Sequence, residues 1–207
     1  MSIHKVDVLQ PGALPKYDMT PGQLEWFWLF GLVVAGKSSR FATEKLENYL
    51  DGLLFPPDVR DRILPFDVVR EDIARGVLRE RLEEVRTGQY EKLVKAFTWT
   101  AMALDITRPD LTIALLESCP GCGPKTARMF WLTTRRDARC AALDTHILKF
   151  LARQPGLSGV PAQTPPAGRV YERLERAFLG IADSCGLPPA KLDFAIWEAY
   201  SNGRGYL

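Results

Sequence analysis

The chain has 207 residues, 46% apolar and 25% charged, with 27 Lys and Arg against 25 Asp and Glu for a formal net charge of +2. That length buries a core without staples, as one domain or two small lobes, and the composition excludes a disordered chain. The near-neutral charge leaves room for a local basic face and an anionic partner, because arginines recur at 128, 135, 136 and 139 while acids gather elsewhere, as in Glu80 to Glu84.

The predicted elements are helices throughout. Pro21 opens PGQLEWFWLFGLVVAG, apolar nearly all round and closed by Gly36, the profile of a buried helix. Ser38 or Ser39 can cap RFATEKLENYLDGL, where Phe41, Leu46, Tyr49 and Leu50 keep helical spacing. VVREDIARGVLRERLEEV and YEKLVKAFTWTAMAL follow, each of helical period with one charged side. Asp110 starts LTIALLES, PGCG turns the chain, and Pro124 sits in the first turn of the next helix. Asp144 caps a helix over 145–153. Residues 154–168, QPGLSGVPAQTPPAG, form a surface loop or a connection between lobes. YERLERAFLGIADSCG and PAKLDFAIWEAYSNG close the chain. With no strand pattern, repeat or low-complexity tail, the fold class is all-α. The most apolar run, Trp26 to Ala35, is too short to span a bilayer, and no basic start leads into an apolar leader. Four cysteines are too few for a disulfide scaffold, so a reducing cytoplasm is the expected location, in association with the nucleoid, with no membrane partner.

The stretch 111–134 is therefore helix, tight glycine turn, helix. Gly121 and Gly123 let the backbone turn sharply, and amides at the start of the following helix face outward at a positive helix end, a setting for a phosphate oxygen. The same residues also make an ordinary turn between packed helices. Lys125 lies in the first helical turn, where the helix field disfavours a cation; facing a cleft, it would be held toward the neutral, nucleophilic amine. Asp144 reads as a plain helix cap, and equally as a carboxylate that orients an attacking amine or water and opposes positive charge on a sugar ring. Thr126, Arg128, Arg135, Arg136 and Arg139 around this stretch are candidate phosphate ligands or a solvated face.

Leu115 to Leu151, LLESCPGCGPKTARMFWLTTRRDARCAALDTHILKFL, resembles the signature of the helix-hairpin-helix DNA glycosylase superfamily, which includes endonuclease-III-like and 8-oxoguanine glycosylases. The resemblance covers the hairpin (Pro120, Gly121, Gly123), the lysine that attacks the sugar C1′ in bifunctional members (Lys125), and the aspartate that active members need (Asp144). It implies one catalytic unit over 1–207 with two helical lobes and the hairpin at the cleft between them. One lobe would comprise about 20–35 plus 140–207 and the other about 38–139, with the hairpin at 110–134. It further implies a monomer that binds double-stranded DNA with a damaged base, flips that nucleotide into a pocket, and acts as glycosylase and AP lyase. Contacts to DNA fall on Gly121, Gly123, Thr126, Arg128, Lys37, Ser38, Arg135 and Arg136. Most of the aromatics are core by their spacing, and those offered for the base pocket are Trp28, Phe130 and Trp197, with the chain end at Leu207.

Several departures shape the reading. Many relatives hold an iron–sulfur cluster on four closely spaced C-terminal cysteines; here only Cys185 lies beyond residue 140, so no cluster and no other cofactor is expected. Cys119 and Cys122 lack a second ligand pair, so they read as small apolar packing residues and no metal site is expected. The turn Gly36-Lys37-Ser38-Ser39 resembles the DNA-inserting region of relatives without their usual Gln or Asn, and reads also as a helix cap. The tail LDFAIWEAYSNGR is similar to tails of compact archaeal-type 8-oxoguanine glycosylases, which makes an oxidised purine the expected substrate. A glycosylase-derived enzyme that modifies bases, or a non-catalytic helix-hairpin-helix DNA-binding protein, are the alternatives.

Overall fold

The computed structural model describes residues 16–51 and 63–201. Among them are ten helices and no strand: α1 Pro21–Val33, α2 Ser39–Asp51, α3 Pro65–Arg75, α4 Leu78–Glu84, α5 Tyr90–Ala103, α6 Ile113–Glu117, α7 Pro124–Thr134, α8 Thr145–Leu151, α9 Arg169–Ser184 and α10 Pro189–Ser201. The all-α class is what the structure has. None of these helices is long and apolar enough to cross a membrane.

The contacts gather into two compact units, one over 19–122 and one over 123–201 with 16–18. This division differs from the lobes expected from sequence, which joined 20–35 to 140–207. The reason lies in α1: it has no polar face, and α2, α3 and α5 of the first unit all pack on it. The boundary falls between Cys122 and Gly123, inside the hairpin turn.

In the first unit, α1 starts with a reciprocal cap in which Gln23 N donates to Thr20 Oγ1 (3.3 Å) and Thr20 N donates to Gln23 Oε1 (3.0 Å). Glu25 projects from this helix into the interior, and its Oε2 accepts from the Phe66 amide at 2.8 Å, so α1 supplies the carboxylate that caps α3. Burial pushes the Glu25 carboxyl up to about 7. The expected single helical run over 68–85 is two helices, because Gly76 adopts φ 72° and the Val77 amide closes back on the Asp72 carbonyl at 2.9 Å. α6 is shorter than expected and capped by Thr112, whose Oγ1 accepts from Leu115 N at 3.1 Å; Asp110 pairs with Arg108 instead.

The second unit is built on Leu143, Ile147, Leu148, Leu151, Leu174, Phe178, Leu192 and Ile196, where α8 packs against α9 and α10. A polar frame holds the chain just before α8. The Tyr171 hydroxyl donates to the Ala141 carbonyl (2.7 Å) and accepts from Leu143 N (3.2 Å), while Glu175 Oε1 accepts from Ala141 N (2.9 Å) and from Arg128 Nε (2.7 Å). From the irregular stretch, Thr164 Oγ1 donates to the Leu143 carbonyl at 2.7 Å. Side chains thus satisfy the backbone groups of Ala141 and Leu143, the Asp144 amide donates to the Ala142 carbonyl at 2.6 Å, and this irregular stretch delivers Asp144 to a fixed place.

Candidate active site

Asp144 is the N-cap of α8, and its Oδ1 accepts from His146 N (2.8 Å) and Ile147 N (2.9 Å). Its Oδ2 accepts no hydrogen bond among the described residues. Lys125 lies in the first turn of α7, half-buried, and its amine donates only to the Met129 thioether at 3.6 Å. Among the described residues it has no salt bridge. A thioether is a weak acceptor, so the amine is not committed to a strong partner.

The structure adds a third group. Asp193 of α10 has a buried Oδ2 with no hydrogen-bond partner, and its carboxyl is pushed up to about 8 by burial and by the Asp144 charge, against the lowering effect of Lys125. α10 packs on both α7 and α8, and so one helix brings its carboxyl into the field of the other two side chains. Sequence reasoning missed Asp193. The signal was a single acid inside the apolar run LDFAIW, at a position whose neighbours Leu192 and Ile196 are core.

The hairpin glycines differ from one another. Gly121 takes φ 76° in the left-handed region, whereas Gly123 is the N-cap of α7 with extended backbone (φ −95°, ψ 170°) that any residue can adopt. Thr126 is buried and its amide donates to the Gly123 carbonyl at 3.0 Å, which leaves it in the first helical turn with its side chain inside. In the first unit, Ser38 caps the start of α2: its Oγ accepts from Phe41 N (3.3 Å) and its carbonyl from Ala42 N (3.0 Å), the helix-cap reading of that turn. Lys37 is half-buried, and its amine donates to the Val33 carbonyl at 3.2 Å.

Other expected site residues lie elsewhere. Arg128 is turned inward onto Glu175 and stacks 4.5 Å from the Tyr171 ring centroid, so its guanidinium serves the polar frame and is not displayed for a phosphate. Arg139 pairs with Asp183 at 2.9 Å. Arg135 is half-buried over Trp131, and Arg136 is exposed with its guanidinium over Tyr17. Trp28 is fully enclosed, its Nε1 donating to Thr100 Oγ1 at 2.9 Å, and Phe130 is 1% exposed. Neither ring has a free face for a base, because aromatics at helical spacing filled the core. Trp197 is half-buried on α10, one turn beyond Asp193 and on the same helix face. Leu207 lies outside the described residues. Cys119 is buried, with its thiol pushed up to about 11 by burial, as befits an inert packing residue.

No protein-family model matches the chain, and no curated protein matches it in sequence. Among solved structures it is similar to that of Methanocaldococcus jannaschii 8-oxoguanine glycosylase/lyase in complex with a 15mer DNA containing 8-oxoguanine. The TM-score is 0.65 at 18% sequence identity, over 92% of this chain and 86% of that chain. A likeness of this extent at this identity establishes architecture, and the chain therefore has the all-helical fold of that DNA glycosylase/lyase.

Proposed function

We propose that the protein is a DNA glycosylase with AP lyase activity that excises an oxidised purine, 8-oxoguanine being the leading candidate. The observation that carries the reading is that Lys125, with an uncommitted amine, and Asp144, with a carboxylate oxygen to spare, both act on the Asp193 carboxyl within one unit of a glycosylase/lyase fold. The target nucleotide leaves the duplex so that its sugar carbon can be reached. The Lys125 amine then bonds to C1′ as the bond to the base breaks; the base departs with the electron pair and takes up a proton. Asp144 Oδ2 opposes the positive charge that develops on the sugar ring. The nitrogen then loses a proton and the C1′–O4′ bond opens, O4′ taking up a proton, which gives the iminium; this makes the C2′ proton acidic, and its loss expels the 3′ phosphate and cleaves the strand. Trp197, one turn from Asp193, offers the ring on which the extruded base stacks.

The test is borohydride trapping on duplexes that each carry one lesion. Wild-type protein is expected to give a covalent adduct on the 8-oxoguanine duplex, and Lys125→Gln none, while both bind the DNA. Trapping that survives in Lys125→Gln would overturn the assignment of the nucleophile. Excision of thymine glycol with 8-oxoguanine left intact would overturn the substrate and leave the lysine chemistry standing.

A further inference from the structure

The side chains that hold residues 141–143 also reach the start of α7. Arg128 stands one turn beyond Lys125 on that helix, and its guanidinium makes two different bonds. Nη1 donates to the Pro124 carbonyl at 3.4 Å, and Nε donates to Glu175 Oε1 at 2.7 Å. The same Glu175 oxygen accepts from the Ala141 amide at 2.9 Å. One carboxylate oxygen of α9 therefore joins the first turn of α7, where Lys125 sits, to the segment that ends at Asp144.

Tyr171, one turn before Glu175 on α9, completes the network. Its ring is buried, with the Arg128 guanidinium 4.5 Å from the centroid. Its hydroxyl spans Ala141 O (2.7 Å) and Leu143 N (3.2 Å), and burial pushes the phenol well above its ordinary range, so the donor proton stays in place. The Arg128 and Glu175 side chains are only 14% and 16% exposed, and salt screens such a pair little. An ion pair taken out of water adds little stability over apolar side chains of the same volume. What this one supplies is geometry, because each of its bonds ends on backbone beside Lys125 or ahead of Asp144.

We infer that Arg128, Tyr171 and Glu175 are positioning residues for the proposed reaction, a clamp that fixes the Lys125 amine and the Asp144 carboxylate relative to each other. The inference rests on the proposed function and adds no contact with DNA. Misplacing a reacting group by about 1 Å costs on the order of 10²-fold in rate. Binding of the duplex does not depend on that separation, so the clamp acts on the saturated step alone.

The test is single-turnover excision from the 8-oxoguanine duplex by the full chain, read as the saturated rate and the concentration that half-saturates it. Tyr171→Phe keeps the ring beside Arg128 and removes only the hydroxyl; it should slow the saturated rate at least about tenfold and leave half-saturation unchanged. Glu175→Ala should lose on the order of 10²-fold, and Glu175→Gln, which keeps an oxygen for both donors, should recover most of it. In an Asp144→Asn background Tyr171→Phe should have little further effect, because the group it positions is gone, whereas a loss through unfolding would add in full. The clamp is overturned by wild-type saturated rates in Tyr171→Phe and Glu175→Ala, by a Glu175→Gln variant as slow as Glu175→Ala, or by full additivity of Tyr171→Phe with Asp144→Asn. Tyr171→Phe, alone and with Asp144→Asn, decides the matter even where Glu175→Ala does not fold. Wild-type protein that excises no base from any lesion duplex would overturn the proposed function and the clamp with it; an active wild type with unaffected variants overturns the clamp alone.

Discussion

At Asp144 the two carboxylate oxygens have separate duties. Oδ1 holds two amides of α8 and Oδ2 is spare, so the proposed chemistry at Asp144 leaves the helix cap in place. Asp144→Asn should therefore keep its melting temperature within a few degrees, since Asn also caps, while excision falls by several orders of magnitude, corresponding to about 3–4 kcal/mol or more of lost charge stabilisation. Single-turnover excision beside a thermal melt checks this; a large loss of stability with normal turnover would reduce Asp144 to a cap. Asp193 shows the opposite balance. Its carboxyl sits at about 8, far above the ordinary aspartate, so the folded state keeps a proton that the unfolded chain has released. Stability from this group is fully present below about pH 4 and is lost as the pH rises toward 8. Asp193→Asn should melt higher than wild type with a gap that widens over that window, and the basic limb of the pH–rate profile near 8 should disappear with the titrating group. A profile that keeps the limb would show that Asp193 is only a buried acid.

Helix ends carry most of the specification at the next scale. Pro21, Pro124 and Asp144 were legible because each end is written locally, within one turn of chain. The break at Gly76 was missed because the apolar period runs through it and only the left-handed glycine stops the helix. Glu25 was invisible for a different reason: it caps α3 from another helix, and no local pattern encodes a partner 41 residues away. That contact has a measurable cost. With its carboxyl raised to about 7, Glu25 contributes stability below about pH 4.5 that is lost as pH rises through 7. Glu25→Gln keeps an oxygen for the Phe66 amide and removes the buried charge, so it should stabilise the protein above pH 7 by an amount on the order of 2–3 kcal/mol and have no effect near pH 4. Denaturant titrations at the two pH values check it. The two catalytic candidates were legible as motif residues, whereas Asp193 showed only as one acid in an apolar run, and the sequence does not say which helices pack over it.

Across the whole molecule, the two units divide the proposed work. Lys125, Asp144 and Asp193 all belong to the unit over 123–201, and Lys37, an expected DNA contact, to the unit over 19–122. Variants should sort accordingly. Lys37→Gln should raise the DNA concentration needed for half-maximal rate and leave the saturating single-turnover rate near wild type, while Asp144→Asn should do the reverse. A Lys37→Gln variant with an unaltered half-saturation and a slowed saturated step would contradict that division. The bare Gly121 turn beneath the Lys92 stem has a genetic counterpart. Gly121→Ala meets two obstacles, the Lys92 stem and a left-handed backbone that an L side chain resists, so Lys92→Ala should restore only part of its lost melting temperature. In a mutational screen the two positions would be coupled without being equivalent, since shortening the lysine clears the space and leaves the backbone demand in place.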